Sequence, residues 1–575
     1  MTVGTWLIDL QNRSDGTAIK YKNNNSWKKI SWSEYLNKTI SLALQIKKLG
    51  FKQKDHIGIL SSTRWEWIIT DMAIVGSGLV SVPLYANLSD GDLLYIINHS
   101  EIKLLIIENT TYLKQIDRIK SQFINPILIK KFEDFEFDTL PTEQEKDFFI
   151  NLCAKINTND VATLVYTSGT SGTPKGVVLI HESIVSEVTE IFQTVGVKPN
   201  YTALTFLPYA HVMGRTEIWG SCFIGHTLAF AESIDKIKDN LIEIQPDFII
   251  AVPRIFEKFY AAVLAKIETQ PLKQKLFNEA LSIAAEVAKF RQTKQTIPWV
   301  LLLKYETICR LAFEPIRKAF GGKLLFAVSG GAPLAKDIAL FFSYCGVQIL
   351  EGYGLTETCA AVSINTRYNF QPGTVGNLIG DVEIKFAADG EILIKSKKCM
   401  QGYFKNPEAT AEVFKNGYFS TGDIGELTAT GQLKITDRKK DLIKTANGKY
   451  VAPQKLEGLL KQESLISQVL IHGDQKKFIS AIVSIEETPL KDWAANQKIT
   501  FQQTEELYDN PTLRIRIQQQ IKKTNANLAS HEAIKKFEIV SDSWTIENGC
   551  LTPSLKIKRK FLESKYSKLI SEMYD

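Results

Sequence analysis

Over most of its length this chain alternates short apolar, β-branched runs with longer stretches of helical spacing. The runs His56-Ile-Gly-Ile-Leu60, Leu104-Leu-Ile-Ile107, Phe248-Ile-Ile-Ala-Val252 and Leu324-Leu-Phe-Ala-Val328 read as strands. The stretches Trp32 to Leu49 and Asp337 to Cys345 read as helices, the second opening after Pro333 and closing on Gly346. That alternation predicts an α/β body of helix-covered, largely parallel sheets. From about Glu383 the rhythm shortens to strands broken by Gly and Asp turns, at Val382 to Ile384, Glu391 to Ile394 and Gln432 to Ile435. A charged cluster, Asp437-Arg-Lys-Lys-Asp441, interrupts this pattern. Beyond it lie new strands, Ser467 to His472 and Phe478 to Ile485, and a helix, Pro511 to Leu528. The expected organisation is a large N-terminal α/β domain over 1–436 with a β-rich subdomain at about 375–436, a junction at 437–441, and a small α+β domain over 442–575. The segment Gln270 to Phe320 carries apolar residues at helical spacing on Leu276, Ala280, Ile283 and Val287. It reads as a helical hairpin packed on the body, with a membrane anchor as the competing reading.

Bulk properties narrow the chemistry. The chain has 575 residues, more than one domain's worth, and a net charge of only +6 without a concentrated basic tract, so nucleic acid is disfavoured as a partner. Seven cysteines, odd in number and free of CxxC pairs, read as reduced thiols of a cytoplasmic protein. Met1 to Asp9 lacks a secretory pattern, and no apolar run reaches the roughly 18 residues of a membrane span; Trp299 to Leu303 is cut off at Lys304. A soluble protein is expected, with peripheral attachment at the inner membrane face left open, as is the oligomeric state.

Candidate chemistry begins at Tyr166-Thr-Ser-Gly-Thr-Ser-Gly-Thr-Pro-Lys-Gly-Val177, which follows the apolar strand Ala162 to Val165. Its three glycines and five Ser and Thr residues leave the backbone free to turn N–H groups and hydroxyls onto phosphate oxygens, and Lys175 adds a positive charge. A nucleotide hydrolase P-loop needs Gly-Lys-Ser/Thr opening a helix. Here Lys175 stands between Pro174 and Gly176, so that reading fails.

Four further segments follow in order: Ser329-Gly-Gly-Ala-Pro-Leu334, Glu351-Gly-Tyr-Gly-Leu-Thr-Glu-Thr358, Tyr418-Phe-Ser-Thr-Gly-Asp423 and Asp437-Arg-Lys-Lys-Asp-Leu-Ile-Lys444. With the first loop they resemble the acyl-adenylate-forming enzymes, the superfamily of acyl-CoA synthetases, peptide-synthetase adenylation domains and firefly luciferase. The resemblance runs from Trp32 to Tyr566.

It implies an ATP site built from Thr167, Ser168, Gly169, Thr170, Ser171, Gly172, Thr173 and Lys175 on the phosphate side. Gly331, Ala332, Glu351, Gly352, Tyr353 and Gly354 would line the adenine side. Thr356 would meet the α-phosphate, and Glu357, with Thr167, would ligate Mg²⁺, an ion that prefers one or two carboxylates with phosphate and water. Independently of the resemblance, Tyr353 between two glycines can lay its ring on a flat base. Asp423 has two acceptor oxygens for two ribose hydroxyls. Arg438 resembles the second ribose or phosphate contact. Lys440 occupies the family's hinge position, Lys444 and Gly448 fall on its coenzyme A side, and Lys556 in Leu551-Thr-Pro-Ser-Leu-Lys-Ile-Lys-Arg-Lys560 matches its adenylation lysine. Lys558, Arg559 and Lys560 compete for that role on sequence alone.

The implied reaction has two halves. A carboxylate attacks the α-phosphorus of ATP and displaces pyrophosphate, and the thiol of coenzyme A then takes the acyl group and releases AMP. Leu207-Pro-Tyr-Ala-His-Val-Met-Gly-Arg215, Val252-Pro-Arg-Ile-Phe-Glu-Lys258 and Thr545-Ile-Glu-Asn-Gly-Cys-Leu-Thr-Pro553 resemble the long-chain fatty acyl-CoA synthetase branch and imply a fatty acid substrate. His211 borders the carboxylate or packs in the core. Arg215 stands where some bacterial members carry a gating tryptophan; Trp219 is a turn further on, so no gate is assigned. The alternatives left open are a fatty acyl-AMP ligase loading a carrier protein, a luciferase-like oxygenase, and a non-enzymatic nucleotide-binding relative.

Overall fold

The structure is a computed structural model. It describes the chain apart from residues 168–172, 269, 293–294, 527, 547 and 553–555. Two helix-covered sheets make the large body. In the first, strands 402–403, Lys175–Ile180, Val161–Thr167, Val80–Leu84, His56–Leu60, Leu104–Ile107 and Leu128–Lys131 lie side by side. Its central strands run parallel, whereas Val161–Thr167 and Lys175–Ile180 form an antiparallel hairpin. Leu104–Ile107 is buried at every position, as a strand covered on both faces must be.

The second sheet has nine strands. Strands Thr227–Phe230, Thr202–Thr205, Phe248–Ala251, Phe326–Ser329 and Ile349–Leu355 are consecutive parallel neighbours within it. Between the sheets lie helices such as Trp32–Lys48, which opens with a reciprocal cap between Ser31 and Glu34. Residues from both sheets join one apolar cluster, including Ile59, Val165, Phe248 and Leu350.

An antiparallel five-stranded sheet follows at 383–438 and closes over Val362, Val375, Ile392, Ile394 and Leu433. The C-terminal part has its own three-stranded sheet, Ile466–His472, Ile479–Ile485 and Ile534–Val540, with separate apolar clusters on its two sides. The architecture is thus the expected one: a large α/β region, a β-rich part and a smaller α+β part.

Three local expectations need correction. The strand read at Leu324 to Val328 forms at Phe326–Ser329, where Phe326 lies opposite Phe248; the Leu325 amide, bonded to the Asp247 carbonyl at 2.7 Å, makes the first bond between the two chain segments. In the helix Pro271–Gln292, Ala280, Ile283 and Val287 are buried, but Leu276 is 37% exposed and Phe277 packs inward instead. The junction read at 437–441 begins inside a strand: Leu433–Arg438 continues through Asp437 and Arg438, paired to Ile424 and Asp423. All seven cysteines are free thiols. Among the described residues no helix is long and apolar enough to cross a membrane.

Candidate active site

The loop expected to meet phosphate starts where Val161–Thr167 ends. Thr167 pairs with Lys175 across the hairpin, so the loop between them leaves and returns at one point of the sheet. Ser168, Gly169, Thr170, Ser171 and Gly172 lie outside the described residues, and Thr173 is exposed at the loop's return. The Lys175 ammonium lies 4.8 Å from the centre of the Tyr403 ring. The Tyr403 hydroxyl in turn donates to Glu357 Oε1 at 2.9 Å. Loop lysine and glutamate, 182 positions apart, are therefore separated by a single side chain.

Glu357 sits in a short turn, Thr356–Thr358, at the end of strand Ile349–Leu355, and its carbonyl accepts the Met400 amide at 2.7 Å. Earlier in the strand, the Tyr353 hydroxyl donates to Asp423 Oδ2 at 2.8 Å. Arg438 Nε stands 3.5 Å from Asp423 Oδ1. Burial raises the Asp423 pKa, outweighing the Arg438 charge that lowers it. Both oxygens of Asp423 are thus already engaged, each with lone pairs left over. Gly354 is required by the fold: a Cβ there would come within 1.5 Å of the Ala360 carbonyl oxygen. Gly352 is looser, with the nearest atom at 3.3 Å.

The turn after Ser329 carries Gly331 at φ +81°, a conformation that favours glycine, and Ala332 exposed beside it. Glu351 is buried beneath this turn. Its Oε1 accepts the Leu334 amide at 3.1 Å, and burial pushes its pKa up to about 7. The carboxylate thereby braces the turn.

The far end of the chain supplies Lys556. Burial and the Arg438 charge lower its pKa, while the Asp423, Asp441 and Glu357 charges act to raise it, so its ammonium lies within electrostatic reach of all four groups. The Lys556 residue as a whole is exposed to solvent. Arg559 points the other way, donating to the Ile471 carbonyl at 2.7 Å and Glu457 at 2.6 Å. Lys560 is exposed and Lys558 precedes the terminal helices. His211 joins the same neighbourhood. Its Nδ1 accepts the Met213 amide at 3.2 Å, capping helix Val212–Ile224, and burial together with the Lys556 charge lowers its pKa to about 4, so the ring is neutral near pH 7.

Lys440 is exposed in the turn after Arg438, while Lys439 is held by Asp389 at 2.6 Å and Glu391 at 2.8 Å. Lys444 and Gly448 are exposed on the small hairpin Ile443–Lys444 and Tyr450–Val451, with Gly448 at φ +72°. Arg215 is wholly buried, 2.6 Å from Asp71 and stacked 4.6 Å from the equally buried Trp219. Tyr403 is the residue that sequence reading missed. Its only signal was Gly402 before it, a glycine at φ +153° whose Cβ would press on Thr410.

The segment Val252 to Lys258 opens helix Pro253–Glu268 and meets the C-terminal part of the chain. Arg254 and Lys258 reach Glu486 at 3.0 and 3.5 Å, and Glu257 stands 3.8 Å from Lys461.

Charged and hydroxyl-bearing side chains from both large parts of the chain are thus brought into one region, and comparison with known proteins gives the class. Residues 9–404 match the family described as AMP-binding enzyme and 440–575 its C-terminal domain, and the chain belongs to that family. It is 32% identical over 564 residues to the long-chain-fatty-acid--CoA ligase FadD15 of Mycobacterium bovis, covering 96% of this chain and 93% of that protein. It is 30% identical to long-chain-fatty-acid--CoA ligase 5 of Rattus norvegicus, covering 98% of this chain and 86% of that one. Among solved structures, O-succinylbenzoate coenzyme A synthetase from Bacillus subtilis, in complex with ATP and magnesium ion, superposes with a TM-score of 0.67 at 19% identity, covering 97% of this chain and 99% of that chain.

Proposed function

We propose that this chain is an ATP-dependent long-chain acyl-CoA synthetase. It converts a fatty acid to acyl-AMP with release of pyrophosphate, then passes the acyl group to coenzyme A with release of AMP. The observation that carries the reading is the meeting of Lys175, Glu357, Asp423, Arg438 and Lys556 around one cleft, from five separate stretches of the chain. The relatives named as long-chain-fatty-acid ligases, matched over nearly their full length, support the choice of acid and acceptor.

The donor set suits Mg²⁺. Glu357 uses one carboxylate oxygen on Tyr403 and keeps lone pairs for a hard cation, and the Thr167 hydroxyl is a second hard oxygen. When bound, the ion would neutralise phosphate charge. Lys175 would hold the departing pyrophosphate, and the loop between Thr167 and Lys175 would supply backbone donors. Asp423 and Arg438 would fix the ribose, and Tyr353 the base. Lys556 would bridge the fatty acid carboxylate and the α-phosphate, holding two anions at reacting distance and offsetting the charge that develops at phosphorus. His211, neutral, would border the acyl carboxyl as a hydrogen-bonding wall. For coenzyme A to approach, the part carrying Lys556, Lys444 and Gly448 would turn about Lys440.

One experiment tests the reading: pyrophosphate and AMP release over a panel of carboxylic acids, with and without coenzyme A, for the wild type and Lys556→Ala. Long-chain acids should give AMP only when coenzyme A is present. Lys556→Ala should lose about 10²–10³-fold in acyl-AMP formation, the cost of deleting one charge-stabilising donor, yet form thioester from supplied acyl-AMP. Equal loss in both halves would remove Lys556 from the mechanism, and turnover confined to a carrier protein would replace coenzyme A as acceptor.

We further propose peripheral contact with a membrane surface through Trp299, Val300, Leu302 and Leu303. These are 75%, 46%, 41% and 57% exposed beside Lys304, while the same helical region packs Leu301, Cys309 and Phe313 inward. Trp299→Ser/Leu303→Ser should reduce flotation with anionic liposomes; an unchanged floating fraction would dismiss this surface.

A further inference from the structure

We infer that Tyr403 is a positioning residue that keeps the glutamate of the metal site and the lysine of the phosphate loop in fixed, separate places before the nucleotide arrives. The inference rests on the adenylating reading of the cleft, and concerns a residue outside all five signature segments.

The backbone around Tyr403 is tied to both partners. Strand 402–403 adds antiparallel to Lys175–Ile180, with Tyr403 opposite Val177 and Gly402 opposite Val178. The Phe404 amide donates to the Gly176 carbonyl at 2.8 Å and the Gln401 amide to the Val178 carbonyl at 3.0 Å. On the other side, the Met400 amide holds the Glu357 carbonyl at 2.7 Å. Thr410 Oγ1 accepts the Tyr403 amide at 2.9 Å, which secures the base of the side chain. Five residues, 400–404, thus bridge the strand that begins at Lys175 and the turn that carries Glu357.

The side chain then does two separate things. Its hydroxyl donates to Glu357 Oε1 at 2.9 Å, orienting the carboxylate, and among the described residues no hydrogen bond reaches Oε2. Its ring offers a face to the Lys175 ammonium at 4.8 Å. A lysine and a glutamate this close have an obvious alternative, a direct ion pair, which would use up the metal-binding oxygen and withdraw the cation from the phosphates. Among the described residues neither Lys175 nor Glu357 forms an ion pair, although 34 other charge pairs are present. The ring supplies Lys175 with a partner that does not neutralise it, and the hydroxyl supplies Glu357 with one that does not block it.

Two variants separate these roles. Tyr403→Phe keeps the ring and deletes the hydroxyl. Tyr403→Leu deletes both. Mn²⁺ binding is measured by electron paramagnetic resonance with α,β-methylene-ATP present, and nucleotide binding by calorimetry with and without metal; neither requires turnover. Tyr403→Phe should weaken Mn²⁺ by roughly 10–100-fold, the usual effect of losing a group that orients a metal ligand, with metal-free nucleotide affinity unchanged. Tyr403→Leu should in addition weaken metal-free nucleotide binding, and Glu357→Gln in the same chain should restore that loss by removing the competing anion. Wild-type Mn²⁺ affinity in Tyr403→Phe overturns the inference, as does a fall in melting temperature with no change in metal affinity. Should Tyr403→Leu fail to fold, Tyr403→Phe decides alone. If the metal effects appear but no carboxylic acid gives acyl-CoA, the proposed reaction fails while this role of Tyr403 stands.

Discussion

Arg215 and Asp71 meet at 2.6 Å with neither side chain exposed at all, and Lys398 sits equally buried between Glu187 at 3.1 Å and Glu190 at 2.9 Å. Arg254 and Lys258 also meet a carboxylate, Glu486, at 3.0 and 3.5 Å, but with 22%, 58% and 31% of those side chains exposed and 228 to 232 positions of chain between them. Distances alone barely distinguish the two sets; solvent does. An interior charge that loses its partner cannot be rehydrated, so the interior pairs are expensive to break whether or not they stabilise the fold. A half-exposed pair is repaid by water when it opens. The first set commits helices of the large body to one arrangement, and the second can orient the C-terminal part without locking it there.

Breaking an interior pair should have the largest effect. Asp71→Ala leaves the Arg215 guanidinium buried, without a counter-charge and with Thr163 as its remaining hydrogen-bond partner, and should cost about 3–5 kcal/mol in denaturant unfolding. Arg215→Met combined with Asp71→Leu should recover most of that, because the penalty belongs to the orphaned charge. A double variant as unstable as the single one would show that the pair is itself stabilising.

A second interior carboxylate sharpens the point through pH. Burial pushes the pKa of Glu217 up to about 8 from an ordinary 4.5, against the opposing hydrogen bond from Thr205 at 2.7 Å. The folded state therefore prefers the neutral acid, an advantage complete below pH 4.5 and lost as pH rises through 8. Glu217→Gln cannot titrate, so its melting temperature relative to the wild type should climb between pH 5 and pH 8. A difference that stays flat with pH would place the charge elsewhere.

The smallest effect belongs to the surface between the domains. Glu486→Gln should change stability by at most ~1 kcal/mol. It should shift the ratio of the two half-reaction rates by less than about fivefold, and raised salt should produce the same shift in the wild type. A large drop in stability would mean that Glu486 belongs with the interior set.

Much of the fold could be read from apolar rhythm, since Leu104–Ile107 or Ile479–Ile485 is apolar enough to be nothing but a covered strand. Where the reading slipped, as at Leu276 and Phe277, adjacent apolar residues competed for one face and only packing chose between them. The strand running on through Asp437 and Arg438 was hidden because charged residues rarely signal pairing, yet Arg438 lies opposite Asp423 and is matched there. In the candidate site, residues with distinctive chemistry at the centre of a signature segment offered themselves as candidates. Tyr403 was not, because a tyrosine after a glycine looks like any other, and its partners Lys175 and Glu357 are remote in sequence and near only in space.

Lys556 and Arg559 are three residues apart, one directed into the cleft and the other clamped to Glu457 and the Ile471 backbone. The clamp ties the backbone beside Lys556 to the C-terminal sheet, so in the proposed two-step reaction the ammonium would approach and depart together with that sheet. The timing of catalysis would then be set by a body of more than a hundred residues and not by the rotamer of one long side chain.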